Sequence, residues 1–113
     1  MIMINIANDF TDTPGPRYKA DGDYSGEEFR EKLLEPKFLE AKKNNEKLKV
    51  DFDGGYGYLI SFLEEAFGGL ARIYGSSSVL ETLEFKSDEE EALIAKVKSY
   101  IINANNKYWR KRL

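Results

Sequence analysis

Lys49-Val50-Asp51-Phe52-Asp53-Gly54-Gly55-Tyr56-Gly57-Tyr58-Leu59-Ile60-Ser61-Phe62-Leu63-Glu64-Glu65-Ala66-Phe67-Gly68-Gly69-Leu70 reads as strand, glycine loop and helix start in direct succession. Leu48 to Phe52 reads as the central strand, and the glycines permit a tight turn. The helix that follows presents unpaired N–H groups and its positive dipole end to whatever lies beyond the strand. Ser61 stands at that helix start, with Glu64 three residues on in the spacing of a capping box, and Gly75 ends the helix at about Tyr74.

Outward from this junction, Ile2, Ile4 and Ile6 alternate with Met3, Asn5 and Ala7 as in a half-buried strand, closed by Thr13-Pro14-Gly15-Pro16. A short second strand is expected around Arg17 to Lys19. Ser25 and Glu28 form a second capping box, with Tyr24 and Phe29 at the staple positions, and Pro36 either kinks that helix or starts another. Val79 to Phe85 reads as a strand. Ser87 and Glu90 form a third capping box ahead of a helix whose Leu93, Ile94, Val97, Tyr100, Ile101 and Ala104 repeat at helical spacing. The alternation of strands and helices predicts one α/β domain over 1–113, a mostly parallel or mixed small sheet with helices packed on it, and 106–113 as a basic C-terminal tail.

Composition narrows the chemistry. The 113 residues contain no cysteine and no histidine, which excludes thiol catalysis, disulfides, histidine-based triads and zinc sites built on nitrogen or sulfur. The formal net charge of −3 gives nucleic acid no global attraction, despite the local Lys107-Tyr108-Trp109-Arg110-Lys111-Arg112 run. No apolar run reaches the ~20 residues of a membrane span, and a cytoplasmic location is expected.

Each candidate residue also has a plain structural reading. Ser61 is an N-cap worth roughly 1 kcal/mol, or a phosphoacceptor whose phosphate would meet free N–H donors while Glu64 and Glu65 repel it. Asp51 and Asp53 share a strand face and are expected to cap the following loop rather than to hold a metal. Gly54-Gly55-Tyr56-Gly57 lacks the lysine and hydroxyl of a phosphate-binding loop, so no nucleotide cofactor is expected. Gly68-Gly69 inside a helix signals a close approach, expected to be helix-on-sheet packing. Asp53, Tyr56, Tyr58, Phe62, Glu64 and Glu65 are the candidate partner-binding residues.

Taken together, Asp9-Phe10, Arg17, Ser25-Gly26-Glu27-Glu28-Phe29-Arg30, Val50-Asp51-Phe52-Asp53-Gly54 and Ser61-Phe62-Leu63-Glu64-Glu65-Ala66-Phe67-Gly68-Gly69-Leu70 resemble the STAS-like family, small bacterial and phage-associated domains related to anti-sigma factor antagonists. The resemblance runs roughly from Ile4 to Phe85. It implies a non-enzymatic regulatory binding domain whose Ser61 is phosphorylated by a protein partner, a histidine-kinase-like ATPase that doubles as an anti-sigma factor. The antagonists usually carry Asp-Ser-Ser-Gly where this chain has Leu59-Ile60-Ser61-Phe62. Two rival expectations remain: a structural subunit that forms a homodimer through the Gly68-Gly69 helix or the last helix, and a small hydrolase using Asp51, Asp53 and Ser61.

Overall fold

The computed structural model describes residues 2–105. Strands β1 (Ile2–Asn5), β2 (Leu48–Asp51) and β3 (Leu83–Lys86) form one parallel sheet in the order β1-β2-β3. Ile4 pairs with Val50 and Val50 with Phe85, while Met3, Lys49 and Glu84 align on the opposite face. Ile4, Val50, Leu48 and Leu83 are buried, whereas Met3 and Glu84 are exposed. Helices therefore cover one face of the sheet, a one-sided arrangement that parallel sheets rarely adopt.

Five helices accompany it among the described residues. A single turn, α1 (Ile6–Asp9), follows β1 directly: Asn5 caps it by accepting from the Asn8 N–H, which ends the expected alternation one residue before Ile6. The expected strand at 17–19 is instead irregular chain leading into a 3₁₀ turn, Lys19–Asp21. Helix α2 runs over 26–44 and starts as the sequence predicts, with Ser25 Oγ accepting from the Glu28 N–H at 3.0 Å. The Glu28 carboxylate pairs with Lys32 instead of completing the box. Tyr24 reaches Phe29 through Phe10, whose ring lies 5.5 Å from Tyr24 and 5.4 Å from Phe29.

Pro36 stands in the first turn of a regular stretch, Glu35–Asn44, that continues α2. A π turn, Arg30–Leu34, precedes it, and the Glu35 N–H bonds the Arg30 carbonyl five residues back. The extra residue lets the helix pass a proline that has no N–H to give.

Helix α3 spans 60–74 and is the spine of the domain. It too contains a π turn, Glu64–Gly68, and every residue from Phe62 to Ala71 is buried, as expected of a helix enclosed on all sides. Phe67 joins it to the sheet, 5.6 Å from Phe52 and 6.0 Å from Phe85. Gly26 permits the close crossing of α2 on α3, because a Cβ there would collide with the Phe62 carbonyl.

Helix α4 (Ser76–Thr82) occupies much of the stretch predicted as a strand, which begins only at Leu83. Helix α5 (Ala92–Ile102) starts beyond the expected cap. Ser87 Oγ donates to the Glu90 carbonyl and so closes a turn instead of capping a helix. The basic tail expected at 106–113 lies outside the described residues.

Candidate functional site

The junction between β2 and α3 forms a surface and, behind it, a buried charge cluster. Asp51 Oδ1 accepts from the Asp53 N–H at 2.9 Å and shapes the exit from β2. Asp53 reaches across to the loop after β3: its Oδ2 accepts from Lys86 Nζ at 2.7 Å and the Asp88 N–H at 3.1 Å, its Oδ1 from the Glu89 N–H at 3.0 Å. The Lys86 ammonium, then the Glu89 and Asp88 amides, hold the Asp53 carboxyl down at about 2. Glu89 returns the connection by accepting from the Gly54 N–H at 2.8 Å. Asp53 thus ties two strand ends together, a longer-range role than the local cap expected of it.

Gly54 and Gly57 have φ of 98° and 123°, values that favour glycine, and they turn the loop outward. At its tip Tyr56 is 85 % exposed, with Leu59 and Ile60 more than half exposed beside it. Tyr58 lies down against the domain, its hydroxyl donating to the Phe52 carbonyl at 2.8 Å. Burial, then the nearby Asp51, Asp53 and Glu89 charges, push its phenol far up. A shallow groove of about 470 Å³ lies between this loop and Thr13-Pro14.

Ser61 is half-buried in the first turn of α3, but it is not the cap. The N-cap is Leu59, and no side chain caps this end. The predicted Ser61–Glu64 box fails because Glu64 turns inward, toward a stronger set of donors.

That set is the part of the site the sequence hides. Glu64 is fully buried: Oε1 accepts from Arg17 Nη1 at 2.6 Å and Arg72 Nη2 at 3.2 Å, Oε2 from Arg72 Nη1 at 2.7 Å. Glu65, also buried, holds Arg30 Nη1 at 2.6 Å and stands 3.4 Å from Arg17 Nη1. Arg30 also donates to the Glu65 carbonyl at 2.9 Å, bridging the π turn of α2 to that of α3. Burial drives the Glu64 carboxyl upward, but the Arg72 and Arg17 hydrogen bonds outweigh it and leave the group below its ordinary value. Gly68 and Gly69 make room for these side chains: a Cβ at Gly68 would stand 2.5 Å from Glu64 Oε2, one at Gly69 2.5 Å from Arg30 Nη1. The close approach at this pair is therefore to the ion cluster, not to the sheet.

A family model for STAS-like domains of unknown function matches residues 25–92, from the cap of α2 to the first residue of α5. The chain belongs to this family. The three-stranded parallel sheet with its helices agrees with a STAS-like fold. No curated protein and no solved structure matches the chain significantly.

In this STAS-like domain the predicted partner-binding residues divide by burial. Tyr56 reaches solvent fully and Asp53 and Tyr58 in part, whereas Phe62, Glu64 and Glu65 are buried and cannot form a contact surface. The two glutamates are also neutralised by arginines, so the repulsion expected for a phosphate on Ser61 loses its source. Gly68 and Gly69 themselves both lie in the interior. Leu59 and Ile60 join the surface in place of the buried residues. Among the described residues no helix is long and apolar enough to cross a membrane.

Proposed function

We propose that this STAS-like domain is a non-enzymatic regulatory module that docks a protein partner on the surface formed by Tyr56, Leu59 and Ile60, with Ser61 as its switch. The carrying observation is the exposure of three large apolar side chains in one short stretch at the start of the domain's central helix. Clustered apolar exposure with a polar surround is characteristic of a protein-binding surface. The likeness to anti-sigma factor antagonists suggests a histidine-kinase-like ATPase as partner and the cytoplasm as the place of action. A phosphate on Ser61 would add about −1.5 to −2 charges beside that apolar surface and disfavour docking by desolvation. Against hydrolysis stands the engagement of Asp53, both of whose oxygens already accept from Lys86 or backbone amides.

The test uses the purified chain with the histidine-kinase-like ATPase of its own host. Incubation with ATP should add one phosphate at Ser61, read by peptide mass. Without ATP, wild type and Ser61→Ala should bind alike, and Ser61→Asp and Leu59→Asp should bind at least tenfold more weakly with unchanged melting temperatures. Equal binding by Ser61→Asp would sink the switch, and equal binding by Leu59→Asp would sink the docking surface.

A further inference from the structure

We propose that Arg17 is a positioning residue for the docking surface: through the stiff segment 12–17 it holds the Tyr56 loop and one wall of its groove against the buried carboxylates of α3. The segment is Asp12-Thr13-Pro14-Gly15-Pro16-Arg17, and its two ends are fixed to different parts of the site. At one end the Asp12 carbonyl accepts from the Tyr56 N–H at 2.9 Å, so close to the loop that a Cβ at Gly55 would stand 3.1 Å from it. At the other, Arg17 Nη1 sits 2.6 Å from Glu64 Oε1, inside the domain. Thr13 and Pro14, between these anchors, line the groove with Tyr56, Gly57, Tyr58 and Leu59.

Two prolines fix φ at two of the intervening positions, and the Pro16 and Arg17 carbonyls accept from the Gly26 and Glu27 N–H groups at 2.9 and 3.0 Å, so the segment rests on the start of α2 as well as on Glu64. Glu64 is anchored independently by Arg72, whose hydrogen bonds run to Glu64 itself and to the Ala104 carbonyl. The cluster therefore has a fixed part, Glu64 with Arg72, and a part carried by the segment, Arg17. Arg17 engages both carboxylates through a single nitrogen, 2.6 and 3.4 Å away, whereas Arg72 uses both terminal nitrogens. A lysine ammonium can supply a single-point contact of that kind, but not the two-nitrogen contact of Arg72.

The inference extends the docking reading but is tested without a partner, by amide hydrogen exchange on the full chain. The amide of Tyr56 is the reporter, compared with the sheet amides of Val50 and Phe85. R17M should speed exchange at Tyr56 at least tenfold more than at Val50 and Phe85, which report any general loss of stability. R17K should restore most of the Tyr56 protection. R72M removes as much ion pairing from the same carboxylates and should leave the Tyr56 amide slower to exchange than in R17M. Three results overturn the proposal: wild-type protection of Tyr56 in R17M, equal loosening of Tyr56 in R17M and R72M, or an R17M chain that does not fold. Exchange that behaves as expected, with a partner that ignores Tyr56 and Leu59, would leave Arg17 positioning the loop and refute only the docking surface.

Discussion

Replacing Glu64 by Gln tests the buried cluster most directly, because the substitution preserves shape and removes only charge and one acceptor. Glu64 accepts three N–H bonds from two arginines and has no exposure to water. A glutamine there offers one acceptor oxygen and turns an NH₂ group toward guanidinium donors. Breaking a buried pair by removing one partner costs roughly 3–5 kcal/mol, most of it from the charge left behind. The Arg17 and Arg72 side chains retain 14 % and 18 % exposure, so water recovers part of the loss and the lower end applies, about 3 kcal/mol. For a domain of this size that is a large share of a typical 5–15 kcal/mol total, and a fall of more than about 10 °C in melting temperature. Urea titration followed by far-ultraviolet circular dichroism measures it. A loss below about 1 kcal/mol would mean that the arginines do not depend on the Glu64 charge, and the account of the cluster as the interior anchor of α3 would be wrong.

Other outcomes follow from the same geometry. Gly68→Ala should destabilise by about 1–3 kcal/mol in the same titration, although alanine is the better helix former, because its Cβ would press on Glu64 Oε2 and stand 3.3 Å from the Tyr100 carbonyl. Ser25→Ala should cost about 1 kcal/mol, and Ser61→Ala less than about 0.5 kcal/mol, since only Ser25 is a cap; equal losses would contradict the assignment. With no histidine, stability should be flat from about pH 6 to 8. Glu64 and Asp53 titrate below their ordinary values in the folded chain, so their contribution is full above those values and is lost as the pH falls from about 4 toward about 2. Melting temperatures across that range check it, and a decline already complete at about pH 5 would contradict it.

The strand, glycine loop and helix around residues 48–74 were legible because each carries its own local signal: alternating apolar Leu48, Val50 and Phe52, glycines where the chain turns, and a glycine stop at Gly75. So was the Ser25 cap, whose bond spans only three residues. Helix α4 was not. Ser76-Ser77-Ser78-Val79 has weak helical propensity, and Thr82 and Phe85 resemble strand, so packing against α3 and α5 decides the first part of that segment. The ion cluster was hidden for a different reason. Charged residues are exposed by default, and nothing in sequence spacing connects Arg17 to Glu64 or Arg30 to Glu65. The paired glycines at 68 and 69 were the available signal: they announced close approach, and the approaching groups are side chains of the cluster and, at Gly68, the Tyr100 carbonyl of α5.

The sheet's registry also sets the order in which the chain can fold. Leu48 pairs with Ile2 on one side and with Leu83 on the other, so each rung of the ladder waits on the closure of a long helical excursion. Local helical contacts carry no such entropic penalty and form on much shorter timescales. Helix formation within α2 and α3 therefore comes early, whereas their crossing at Gly26 and Phe62, which spans as much chain as the β2–β3 pairing, comes late together with the parallel ladder. Mutations that weaken α2 or α3 as helices should slow folding, whereas mutations in β1 should chiefly hasten unfolding.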